Sequence, residues 1–145
     1  MDVDELQHAL GGIVLEAAYM ERVLRAVFSA LVGSKYAAVV DGRLTASGLI
    51  EDCEHLTNYH MDIPAQARGA VLAALRACHE ANRERNRVIH DTWATLAEVR
   101  QLADQVADAA EALKAAMTQA LGSGWERVED QLRLELGHDI GTDQG

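Results

Sequence analysis

Two apolar seams decide what this chain can fold into. Leu6, Leu10, Ile13, Ala17, Met20, Leu24, Val27 and Leu31 step by four and three residues without a break. Leu96, Val99, Ala103, Val106, Ala110, Leu113, Met117 and Ala120 keep the same rhythm later in the chain. Such spacing puts every apolar side chain on one stripe of an α-helix, whereas a strand would need alternation by two. One proline in 145 residues and 4% aromatics leave little that prefers a strand. The expectation is an all-α, single-domain bundle of four to five helices, formed by residues 1–136 and followed by a polar tail at 137–145.

The first seam predicts a helix starting after Asp2 or Asp4 and stopped near Val32 by Gly33-Ser34. Residues 33 to 46 read as a connection, with Asp41-Gly42 as its turn signal and room for a short hairpin. A second helix is expected from Thr45 to His60, weakened at its start by Gly48. Met61-Asp62-Ile63-Pro64 breaks the chain, with Asp62 a plausible cap and Pro64 tolerable in a first helical turn. A third helix then reaches His90, and a fourth spans Thr92 to Leu121. The strict seam of the fourth suits a long antiparallel neighbour or a partner helix. Ser123-Gly124-Trp125-Glu126 has the pattern of a capping box, opening a short fifth helix with Trp125, Val128, Leu132 and Leu136 on one face. From Gly137 the sequence is polar and glycine-rich, and is expected to fray.

The net charge of −10 argues against a general nucleic-acid binder, which needs many Lys and Arg contacts to phosphate. The charge is uneven, however. Between Arg76 and Arg100 five basic residues face four acidic ones, so the rest of the chain carries eight basic and nineteen acidic residues. A local arginine cluster on an acidic molecule fits a focused anion site. The acidic start does not resemble a signal peptide, and no apolar run approaches the roughly 20 residues that span a bilayer. A cytoplasmic protein without membrane contact is expected. Cys53 and Cys78 are the only thiols, and both are expected reduced, Cys78 on an apolar helix face. Cys53, His55 and His60 match no familiar zinc spacing, so neither metal nor cofactor is expected.

Chemistry concentrates in Arg85-Asn86-Arg87-Val88-Ile89-His90. The seam of helix three runs Ala67, Val71, Ala74, Cys78, Ala81, and its next step is Arg85, before Val88. A guanidinium keeps its proton, so one set on an apolar seam needs an anionic or strongly polar partner. Glu21, at the edge of the first seam, is one candidate, and a ligand phosphate is the other. Arg83 and Arg87 fit a solvated face or a supporting contact to substrate. Asn86 and His90, four apart, share a face. Arg85 and His90, five apart, stand about 140° apart on an ideal helix. Either the helix end unwinds near His90, or a second copy of the chain completes the site in a symmetric dimer. The plain alternative is that Arg85 is a structural ion-pair partner and that His90 caps carbonyls at the negative end of a helix dipole.

This hexapeptide resembles the signature of the HEPN superfamily: arginine, an adjacent polar residue, and histidine after four to six intervening residues. Asp91-Thr92-Trp93 also looks like the sequence that follows the histidine in many members. HEPN domains are small bundles of four or five helices with the motif near a helix end late in the bundle. The resemblance implies a metal-independent endoribonuclease acting at a dimer interface. Arg85 would bind the scissile phosphate and stabilise its developing charge, and His90 would activate or orient the ribose 2′-hydroxyl. Asn86 would orient His90 or bond the phosphate. The products would be a 2′,3′-cyclic phosphate and a 5′-hydroxyl. The expected partners are RNA, a second copy of the chain, and an antitoxin or regulatory protein of a toxin or defence system. Members silenced by nucleotide transfer usually carry tyrosine two residues after the histidine. Thr92 stands there instead, which sets this chain apart from that group.

Two other readings compete: a non-catalytic HEPN-like module that holds a nucleotide or RNA end through Arg85, and a helical dimerisation or adaptor domain. The intact histidine favours the nuclease, because a pure binder has no use for it. Trp93 and Trp125 can stack on bases, but their spacing among apolar neighbours predicts core positions. His55, Tyr59 and His60 are expected as a surface cluster, and His8, His79 and His138 show no partner in sequence. No phosphate loop or serine triad is visible.

Overall fold

The computed structural model describes residues 2–33, 45–91 and 93–143, with side chains described as far as Gly137. Five helices follow one another: α1 (Val3–Val32), α2 (Ala46–Tyr59), α3 (Ala65–Ile89), α4 (Leu96–Leu121) and α5 (Ser123–Asp143). They form one helical bundle, and among the described residues there is no strand. The possible hairpin around Asp41-Gly42 lies outside the described residues.

Local chemistry sets most helix ends. Asp2 accepts the amide of Asp4 at 2.9 Å, and Asp4 and Glu5 place negative charge at the positive end of α1. At its other end Gly33 takes φ 63°, a left-handed conformation costly for other residues, and its amide closes on the Ser29 carbonyl at 2.9 Å. The expected stop near Val32 is thus where the chain stops. α4 begins four residues later than the Thr92 start expected from sequence, because the Thr95 hydroxyl accepts the Glu98 amide at 3.1 Å and caps it. At α3 the helix starts after Pro64, and Asp62 does not cap it.

α5 departs furthest from expectation. Gly122, at φ 52°, ends α4, and its carbonyl already accepts the amides of Trp125 and Glu126. Ser123 therefore lies inside the first turn, one residue too late for the capping box that Ser123 and Glu126 suggested. The backbone then stays helical to Asp143, past the expected end at Leu136. A glycine inside a helix costs only about 1 kcal/mol, and Gly137 does not end one already propagating.

α4 is the hub, packing most extensively on α1 and α3. Its buried face includes Leu102, Ala109 and Ala116 beside the expected seam, because it has a neighbour on either side. Short-turn connection makes α3 antiparallel to it, with the Cys78 thiol facing the Ala109 carbonyl at 3.6 Å. α1 instead runs parallel to α4: residues 4–12 share a groove with Arg100–Asp104, and Tyr19 bonds Glu111 and Lys114 further along. α5 returns antiparallel along α1, Gly124 lying near Gly33 and Glu135 near Arg22. Trp125 is fully buried, as expected, although its indole N–H has no partner. Cys53 is also in the core, its thiol aimed at the Leu24 carbonyl.

Candidate functional site

α3 carries the Arg-Asn-x-x-x-His residues to the end of the bundle that also holds the start of α4. Arg85 sits half-buried, as its seam position requires. Its Nε is buried without a hydrogen-bond partner, while one terminal nitrogen donates to Asn86 Oδ1 at 3.1 Å. Among the described residues no carboxylate pairs with it.

Glu21 does not fill that role. Its carboxylate accepts from Arg25, one turn away on α1, at 2.7 Å. The bundle's register explains why. Tyr19 stands level with Glu111 and Lys114 on α4, whereas Cys78 on α3 stands level with Ala109. Arg85 lies two further turns toward the start of α4, so Glu21 and Arg85 are displaced by about 19 Å along the axis. Sharing an apolar seam did not mean sharing a level.

His90 is exposed, and the helix does not unwind before it. Its φ and ψ are −92° and 0°, and its amide still bonds the Asn86 carbonyl at 3.3 Å. Arg85 and His90 therefore keep the wide angular separation of an almost regular helix. Asn86 is spent on the guanidinium, which it orients, and not on His90. The two flanking arginines differ. Arg83 is exposed and makes no ion pair among the described residues. Arg87 binds Glu84 through two nitrogens, at 3.0 and 2.9 Å, and approaches Asp91 at 3.9 Å. The hydrogen bond that Arg87 donates to Glu84, and the charge of that carboxylate, push the Arg87 pKa upward. Arg87 is thus already neutralised, and Arg85 and Arg83 carry the site's available positive charge.

Two features here were missed or misjudged from sequence. Asn82, one turn before Arg85, is only 6% exposed, and no hydrogen bond of its side chain occurs among the described residues. The signal was present: Leu75, Cys78, Asn82 and Arg85 step by three and four, so an amide interrupts a second apolar row. Trp93, expected in the core, is 88% exposed. It follows α3 in the tight turn, where Asp91 Oδ1 accepts its amide at 2.9 Å and the Asp91 carbonyl accepts that of Ala94 at 3.4 Å. Thr92 lies outside the described residues.

Among the described residues, five surface grooves run between α3 and α4, between α1 and α4, and along α5. Arg85, Asn86 and His90 line none of them. The other histidine cluster is a surface feature: the His55 and Tyr59 rings lie 4.9 Å apart, and His60 Nδ1 accepts the Asp62 amide. Compared with known proteins, the chain matches no family, no curated protein and no solved structure.

Proposed function

We propose that the chain is an endoribonuclease of the HEPN type, cutting RNA without a metal at a site shared by two copies. The observation that carries the reading is the half-buried Arg85, whose charge meets no carboxylate and whose Nε meets no acceptor. A charge so placed is satisfied by an anion brought from outside, and a phosphodiester supplies one. Asn86 fixes the guanidinium, which favours the narrow geometry a developing phosphorane charge requires.

In this reading His90 takes the proton of a ribose 2′-hydroxyl as that oxygen bonds the adjacent phosphorus. The bond from phosphorus to the 5′-oxygen breaks, and the leaving oxygen receives a proton from the imidazolium or from water. The RNA supplies the nucleophile, so the protein contributes position and charge. DNA, without the hydroxyl, would not be cut. Because a regular helix holds Arg85 and His90 far apart around its axis, the arginine of one copy works with the histidine of the other. The same proposal places the protein in the cytoplasm as an effector of a toxin or defence system, restrained by a partner protein. Thr92 argues against restraint by nucleotide transfer.

A second reading has one observation in its favour. Arg85, Asn86 and His90 line none of the five grooves found among the described residues, which suits a module that binds an RNA end or nucleotide without cutting it. The deciding experiment is incubation of mixed tRNA and mRNA with purified wild type, Arg85→Ala and His90→Ala in EDTA. Cutting by wild type alone, leaving cyclic phosphate ends, supports the nuclease. RNA binding without cutting transfers the site to the binding module, and neither leaves the bundle an interaction domain.

A further inference from the structure

We propose that Trp93 is a stacking platform for an unpaired nucleobase, so that the substrate of the Arg85–His90 site is single-stranded RNA. The inference rests on the RNA reading of that site and adds the conformation of RNA it takes. Tryptophan is among the most buried residues on average, and here one stands 88% exposed. Its exposure is not the slack of a loose end. The turn that carries it is held by two hydrogen bonds to Asp91, one from its own amide. Exposing so large an apolar surface forfeits stability that burial would have given, as the second tryptophan, fully buried Trp125, illustrates.

Position narrows the role. Trp93 follows His90 by three positions, so their Cα atoms lie within about 11 Å. A stacked strand advances about 3.4 Å per nucleotide, which sets the indole within about three nucleotides of the cut. Paired bases offer no free face to such a platform, whereas bases of loops and single strands do. The surroundings favour an uncharged contact. Arg87 is shared between the carboxylates of Glu84 and Asp91 beside the turn and offers no free charge to a phosphate, leaving Arg85 to hold the phosphate and Trp93 to hold a base without reading its identity.

The two tryptophans make the test direct, because Trp93 is open to solvent and quenchers while Trp125 is enclosed. The probe is an oligouridylate with 2′-O-methyl riboses, which cannot be cut, compared with a fully paired hairpin of the same backbone. Titration into the wild type should quench the iodide-accessible emission and leave the buried component unchanged, with the hairpin weaker. By anisotropy of the labelled strand, Trp93→Ala should bind about tenfold more weakly, and Trp93→Phe should restore most of the loss. An exposed side chain leaves both variants folded, which circular dichroism checks. Unchanged emission at saturation, or equal binding by Trp93→Ala, overturns the proposal. So does a blue shift that grows with protein concentration alone, which assigns Trp93 to contact between copies. Quenching that persists in a protein unable to cut natural RNA keeps the platform and removes only the nuclease.

Discussion

At the scale of single residues, Arg85 separates stability from function. Its half-buried guanidinium donates one hydrogen bond to Asn86 and leaves Nε without a partner. Replacing a poorly compensated buried charge by an apolar chain of similar length is often neutral or stabilising. Arg85→Met should therefore leave urea stability unchanged or raise it by about 1 kcal/mol, while cleavage falls at least 100-fold. A clear loss of stability would make Arg85 a structural residue. The two thiols give a second expectation. Burial first, then the nearby Asp52, pushes the Cys53 pKa to about 12, and burial pushes Cys78 to about 12. The folded state holds these protons more tightly than an unfolded chain with thiols near 9. Their contribution to stability is full below pH 9 and is lost as pH rises toward 12, so urea midpoints should fall across that window. Native protein should also react with a thiol reagent only on the timescale of unfolding.

At the scale of elements, the sequence was most legible where periodicity and capping agreed. The α1 seam and the glycine that ends it, the α4 seam, and the Arg85 position on α3 all follow from residue spacing. The end of α2 shows what spacing could not reveal. Arg68, on α3, donates to the carbonyls of Asn58, His60 and Ile63, the last two at 3.1 and 3.0 Å. It thereby satisfies acceptors that α2 and its connection leave open, a task no local motif advertises. Arg68→Ala should cost about 1–2 kcal/mol in urea denaturation, since several bonds to one partly exposed cation are lost together. A cost below about 0.3 kcal/mol would mean that water replaces them. Trp93 was misread for a related reason. Its apolar spacing belonged to a fourth helix starting at Thr92, and once Thr95 caps α4 the tryptophan falls in the turn, outside any seam.

At the scale of the whole molecule, heptad-like seams identified a bundle but not its register. The parallel pairing of α1 with α4 comes from long-range contacts, and it places Glu21 well along the axis from Arg85. That displacement leaves Arg85 without the carboxylate expected from sequence, and the regular end of α3 keeps Arg85 and His90 wide apart around the helix. The proposed nuclease reading therefore calls for a composite site in a symmetric pair. The measurement that tests it most directly mixes Arg85→Ala with His90→Ala, each inactive alone, after a brief unfolding and refolding to exchange subunits. Half of the pairs are then mixed, and each mixed pair has one intact site of its two, so cleavage should return to about one quarter of the wild-type rate. Two inactive variants whose mixture stays inactive, although mass measurement shows mixed pairs, would contradict the shared site.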